Sequence, residues 1–238
     1  MTEVKVLDLL LCSRPVLFYN DIWEYPYSVG GTAFVVFFQG RHFVLTARHV
    51  LNLPHFQLNQ FRVQYNINKP DTIPLAGVTT LKGVNADDTD QYDVAVWEVV
   101  DTLFQPPLFG DQLPYALPAT DASTDFNPTA GYLFRGFPYE GRIVDYDTRS
   151  IQWIALSGRL EYESRTQYAF LHRLHLANDG TLTNANGLSG SPVFQVRNQG
   201  RYSAVSFAGM LLRANTQTVY MLEHWRVIEI LSKVCARA

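Results

Sequence analysis

Asn186-Gly187-Leu188-Ser189-Gly190-Ser191-Pro192-Val193-Phe194 sets a serine between two glycines and runs it straight into an apolar segment. Glycine adopts left-handed backbone angles that other residues avoid, so the stretch reads as a tight loop presenting Ser189 at the start of a strand. Two other stretches also set a polar side chain at the end of an apolar run. Phe43-Val44-Leu45-Thr46-Ala47-Arg48-His49-Val50 puts His49 directly after one, and Gln91-Tyr92-Asp93-Val94-Ala95-Val96 puts Asp93 directly before one. Alone, each has a plain structural explanation: a surface histidine, an acid opening a strand, a glycine turn. Together they form a chemical set. Acyl transfer by a serine needs a base to take its proton and an acid to orient that base. It also needs backbone N–H groups aimed at the developing oxyanion. Asp87, Asp88 and Asp90 compete for the acid's place, but none opens an apolar strand, so Asp93 is favoured.

Outside these stretches the texture is β. Aromatic residues make up 13% of the chain, glycines and prolines punctuate it often, and short alternating runs recur. Candidate strands are 32–38, 42–47, 60–66, 79–82, 94–99, 131–136, 151–157, 168–174, 191–195 and 203–212. Regular short strands separated by turns point to an all-β sandwich or barrel. The period changes at 222–235, where Trp225, Ile228, Leu231 and Val234 fall three apart, with Val227 and Cys235 on the same side. That spacing predicts an amphipathic C-terminal helix. The stretch 105–127 has little periodicity and holds Pro106, Pro107, Pro114 and Pro118. It reads as a linker between two β units of roughly 100 residues each.

Composition excludes several classes. At 47% hydrophobic the 238-residue chain is too apolar for a disordered one. A net charge of −3 without a Lys/Arg cluster argues against nucleic acid as a partner. No apolar run approaches the ~20 residues that span a bilayer, so no membrane partner is expected. Glu3 and Asp8 interrupt the apolar start and Arg14-Pro15 follows it, which argues against a secretory signal. The two cysteines, Cys12 and Cys235, lack metal-ligand spacing, and neither a metal nor a cofactor is expected. So few cysteines in a β-rich chain point to a reducing, cytoplasmic setting. His172 and His175 sit three apart on an expected strand, on opposite faces, and cannot chelate jointly. Asn178-Asp179-Gly180 reads as a turn.

Taken together, the three stretches resemble the chymotrypsin/trypsin-like serine peptidases, and most closely their bacterial, disulfide-poor branch. Thr46-Ala47-Arg48-His49 is similar to that family's histidine box, Asp93-Val94-Ala95-Val96 to its aspartate strand, and Gly187-Leu188-Ser189-Gly190-Ser191-Pro192 to its serine box. The order His, Asp, Ser is the family's, at separations of 44 and then 96 residues. Gly30–Ala33 before the histidine, Gly136-Phe137-Pro138 and Ala208-Gly209-Met210 add to the likeness, which covers about 28–235. The resemblance implies two six-stranded antiparallel β-barrels with a C-terminal α-helix. Its divisions are an N-terminal segment 1–27 packing on the barrels, a first barrel 28–104, a linker 105–127, a second barrel 128–220 and a terminal helix 221–238. It implies a serine endopeptidase with Ser189 as nucleophile, His49 as general base and Asp93 as the orienting acid. The amides of Gly187 and Ser189 would form the oxyanion hole.

The chain also departs from the family's pattern. Leu188 stands where digestive members carry an Asp that pairs with a new α-amine, and no activation site precedes the first barrel. Activation by zymogen cleavage is therefore not encoded. Leu188 either packs inward and holds the loop or leaves it collapsed. The implied specificity pocket is a neutral one built on Thr183, Asn184 and Leu211, with Leu212, Arg213 and Ala214 continuing the wall. An uncharged residue at the cleavage site is expected. Leu212 replaces a serine that often supports the acid, and Arg213 either reaches a substrate acid or faces solvent. The expected partners are a protein or peptide substrate and a regulatory protein. Two alternatives stand beside the peptidase reading. One is a dormant module on this fold that acts as a binding protein. The other is a protease subunit active only within a larger defence or signalling assembly.

Overall fold

The computed structural model describes residues 9–20, 22, 24, 27–52, 57–65, 71–81, 90–100, 114–119, 126–148, 150–168, 170–177, 182, 184–199 and 202–237. The chain is mostly β and forms two units. The first contains β1 (Ser13–Tyr19), β2 (Tyr27–Phe38), β3 (Arg41–Ala47), β4 (Phe61–Val63), β5 (Leu75–Thr80), β6 (Val94–Val99) and β7 (Tyr115–Ala116). They pair in the order β4-β1-β2-β3-β6-β5, with β7 added in parallel on β2. The second unit contains β8 (Gly131–Gly136), β11 (Leu156–Arg165), β12 (Leu171–Leu176), β13 (Pro192–Gln199), β14 (Tyr202–Ala214) and β15 (Thr218–Glu223). These close into a six-stranded barrel, β11-β12-β15-β14-β13-β8. Between β8 and β11 in the chain, β9 (Arg142–Asp145) and β10 (Ser150–Trp153) form a separate hairpin.

Two closed barrels were expected, and one is seen. The first unit is an open seven-stranded sheet, because β4 is only three residues long and pairs along its length with β1 alone. Past its end, the chain meets the approach to β5 through one isolated bridge, Gln64–Thr72, and the flanking bonds Ile73 N→Val63 O (2.8 Å) and Tyr65 N→Asp71 O (3.0 Å). That is contact at one corner, short of a ladder. The boundaries shift too. β1 comes from the segment assigned to N-terminal packing, yet it sits inside the sheet between β4 and β2. β7 comes from the expected linker, and β15 runs past 220 into the residues given to the helix. Residues 1–8 and most of 105–127 lie outside the described residues.

The central strands are the most apolar. Thr32, Ala33, Phe34, Val35 and Val36 of β2 are all fully buried, so both faces of this strand are covered. β-branched and aromatic side chains suit such a surface. One core fills the first unit and reaches the C-terminal helix; a second fills the closed barrel around Tyr132, Phe134, Leu160, Leu174 and Met221. Aromatic rings join the units. Phe34 meets Phe207 at 5.6 Å between centroids, and Tyr115 meets Phe194 edge-on at 5.0 Å. The helix His224–Cys235 buries Val227, Ile228, Ile230, Leu231 and Val234. Trp225, expected on the apolar stripe, is 37% exposed instead. Among the described residues, no helix is long and apolar enough to cross a membrane. Both cysteines are free thiols; Cys12 is buried, and burial pushes it up to about 12.

Arg14 ties β1 into place. It is fully buried and donates to the carbonyls of Tyr65 (2.9 Å), Ser13 (2.9 Å) and Leu11. Burial pulls its guanidinium down to about 10. Arg14→Ala would strand three carbonyls around a cavity, at an expected cost of about 3 kcal/mol or more. Urea unfolding of the two proteins reads that difference directly.

Candidate active site

His49 and Asp93 meet because their strands are paired. β3 and β6 run antiparallel with Ala47 opposite Val94. His49, in the 3-10 turn Arg48–Leu51, and Asp93, just ahead of β6, therefore flank the same ladder end. Three bonds fix them. The Arg48 amide donates to the Asp93 carbonyl (3.1 Å), the His49 amide to Asp93 Oδ1 (2.8 Å), and His49 Nδ1 lies 2.6 Å from Asp93 Oδ2. An ionised carboxylate only accepts. Nδ1 is therefore the donor of this pair, and in the neutral imidazole Nε2 is the nitrogen that keeps a lone pair.

The serine loop of the second unit is held by the first. The Thr32 amide of β2 donates to the Ser189 carbonyl (3.1 Å). The Thr32 hydroxyl donates to the Gly187 carbonyl (2.7 Å) and accepts from the Phe137 amide (2.9 Å). Gly187 and Gly190 have φ of 95° and 90°. Space adds a second requirement: a Cβ on Gly190 would lie 2.0 Å from the Thr32 carbonyl oxygen, and one on Gly187 2.6 Å from that of Phe137. Leu188 points inward. It has 0% exposure and packs in the barrel core, so of the two states left open by the sequence the loop takes the supported one. Among the described residues, the amides of Gly187 and Ser189 have no acceptor. Ser189 Oγ donates to the Leu212 carbonyl (2.9 Å), and no hydrogen bond joins it to His49.

His49, Val50 and Gly30 of the first unit share a cleft of about 320 Å³ with Tyr139, Ala185, Asn186, Gly187, Ser189, Arg213 and Ala214 of the second. The expected pocket residues divide. Arg213 and Ala214 line this cleft. Asn184 does not: its side chain accepts from the Asn186 amide (2.8 Å) and donates to Glu140 (3.1 Å). Leu211 and Leu212 are fully buried, in different cores. The reason is that both faces of this strand are covered: Leu211 packs in the closed-barrel core and Leu212, on the opposite face, in the core that fills the first unit. Thr183 lies outside the described residues, as do Asp87, Asp88 and Asn178-Asp179-Gly180. Asp90 is paired with Arg213. Tyr139 was missed by the sequence reading, though it follows the Gly136-Phe137-Pro138 stretch. Its hydroxyl donates to the Gly30 carbonyl (3.1 Å) and its amide to that of Asn186 (3.0 Å).

The turn before Asp93 is anchored from the C-terminal helix. Arg226 Nε donates to the Gln91 carbonyl (3.1 Å), and its guanidinium lies 4.2 Å from the Tyr92 ring centre. His172 and His175 have separate partners. His172 is buried, stacks on Phe126 at 3.9 Å and sits 3.2 Å from Glu223; His175 is 3.5 Å from Glu161. Among the described residues, no group of three or more His, Cys, Asp or Glu could hold a metal ion.

No family model matches the chain, and no curated protein matches it significantly.

Two outcomes follow for stability. Gly190→Ala should cost about 2–4 kcal/mol in urea unfolding, because the added methyl meets backbone at a positive φ. Burial pushes the Glu223 carboxyl up, but the His172 hydrogen bond and the charges of His172, His224 and Arg165 outweigh it and hold it below its ordinary value. A lowered carboxyl contributes stability above its unfolded value, near ~4.3, that is lost as pH falls through the folded value. Glu223→Gln should flatten that part of the stability profile, as read from urea midpoints at pH 3 to 6.

Proposed function

We propose that the protein is a serine endopeptidase that cleaves peptide bonds through an acyl-enzyme on Ser189. The observation that carries this reading is the doubly held Asp93. One oxygen takes the His49 amide and the other meets Nδ1 of the His49 ring, so that in the neutral imidazole Nε2 is the nitrogen left to take a proton, in a cleft that His49 and Ser189 both line. In the first step Ser189 Oγ bonds to the substrate carbonyl carbon and its proton passes to His49 Nε2. The carbonyl oxygen becomes an oxyanion facing the amides of Gly187 and Ser189. When the tetrahedral intermediate collapses, the C–N bond breaks and His49 returns the proton to the leaving amine. Water, deprotonated by His49, then releases the acid and restores Ser189. The buried Leu188 supports a loop formed without proteolytic activation, and the lack of an acid among the described residues lining the cleft supports an uncharged residue over a cationic one at the cleavage site. Two free thiols agree with a reducing compartment.

A second reading draws on one observation, the Ser189 hydroxyl resting on the Leu212 carbonyl instead of His49. On that reading the module is silent until a partner or ligand turns the serine. Catalytic hydrogen bonds are commonly long or misaligned before substrate binds, so the peptidase reading is preferred.

Intact mass after treatment with a fluorophosphonate probe separates the two. The peptidase reading expects one adduct on the wild type and none on Ser189→Ala. His49→Ala should slow labelling by at least 10³-fold, and Asp93→Asn should lower peptide turnover by about 10⁴-fold. A folded wild type that takes no adduct overturns the reading in favour of the silent module.

A further inference from the structure

We infer that Arg213, held in reserve by Asp90, is a specificity element that selects substrates with a carboxylate side chain near the scissile bond. The inference rests on the peptidase reading and adds a substrate class to it.

Arg213 follows Leu212, whose carbonyl holds the Ser189 hydroxyl. Of the described residues lining the cleft, it is the one with a permanent charge. Its side chain is 54% exposed, so its charge is available to a ligand. The guanidinium is steered at both ends. It lies 5.5 Å from the Tyr220 ring centre, and its Nη2 donates to Asp90 Oδ2. A guanidinium offers five N–H donors in a planar fork that fits a carboxylate with two parallel bonds. Asp90 engages it through one nitrogen, and no other acceptor meets it among the described residues. A carboxylate fits this fork better than any neutral group.

Asp90 is an internal stand-in for that ligand. It belongs to the first unit, in the 3-10 turn Asp90–Tyr92, and reaches Arg213 of the second. Its side chain is 19% exposed. The Asp93 amide bonds to its carbonyl (3.2 Å), and Arg226 pins Gln91 and Tyr92. Asp90 cannot follow Arg213 into the cleft, so a substrate acid must take the guanidinium from it or use its open edge. Solvent reaches the Arg213 end of the pair and screens it, which lowers the cost of the exchange. Asp90 therefore acts as a competitor: it keeps the Arg213 guanidinium paired when no acid is bound.

Competition makes the two partners' variants move in opposite directions, whereas a purely structural ion pair would make them alike. The test uses peptide pairs differing by Glu or Gln at each position within two residues of the cleavage site, with kcat/KM measured for wild type, Arg213→Gln and Asp90→Asn. Where turnover is too slow, inactivation rates by the matching peptidyl phosphonates replace it. At one position the wild type should prefer Glu by about tenfold, the effect of one charge-assisted contact. Arg213→Gln should bring that ratio close to one. Asp90→Asn should raise it about threefold or more, through KM. Added salt should lower it in the wild type. Thermal unfolding of each variant separates a folding defect from a change of specificity. A wild-type ratio of one or below at every position overturns the inference, and so does a shift in the same direction for both variants. If the protein takes a fluorophosphonate adduct and the ratios are flat, this inference alone fails. If it takes no adduct and cleaves nothing, the peptidase reading fails and this inference with it.

Discussion

Thr32 is the residue on which the site's assembly depends. It lies in the fully buried middle of β2, yet its polar atoms are occupied. Its amide and hydroxyl hold the Ser189 and Gly187 carbonyls, its hydroxyl also takes the Phe137 amide, and its carbonyl takes the Thr46 hydroxyl at 2.7 Å. A buried polar group left unpaired costs about 1–3 kcal/mol, so any shift of the serine loop strands several groups at once. The loop belongs to the closed barrel by sequence, but through these bonds it also belongs to the first sheet. The backbones come close enough only because Gly190 carries no Cβ.

This coupling explains why an open first sheet suffices. His49, Asp93 and the serine loop are held by the ladder end where Ala47 faces Val94 and by the strand that carries Thr32. Both lie in the centre of the sheet, away from the corner where β4 and β5 meet through a single bridge. β1, with its buried Arg14, covers the other side of β2. The acid's turn is braced from two further directions. Arg226 reaches it from the C-terminal helix and Arg213 from the wall of the closed barrel. Elements distant in sequence thus converge on three consecutive residues, 90 to 92, directly ahead of Asp93.

Legibility in the sequence followed the range of the interactions. Strands Val94–Val99 and Gly131–Gly136 form with the expected bounds, because the first is an apolar run opening directly after Asp93 and the second an alternating run between two glycines. β1 was not legible. Pro15 weakens a strand reading and Arg14 looks like a surface residue until the carbonyls of Leu11, Ser13 and Tyr65 surround it. The β14 wall misled for a related reason. Leu211 and Leu212 alternate as strand neighbours do, but each face meets a different core, and the local sequence does not show that both faces are covered. Asn184 looked like pocket lining, and only the position of Glu140, 44 residues away, shows where its amide goes.

By itself, the sequence determined the β class, the C-terminal helix and three polar residues set at the ends of apolar strands, because these follow from local period and from glycine's backbone freedom. Tertiary structure alone decided that one barrel closes and the other sheet stays open, that Leu188 faces inward, and that Arg213 joins Asp90 across the cleft. Each of these depends on which distant segment fills the neighbouring space, and pairing between segments a hundred residues apart leaves no trace in the local pattern of either.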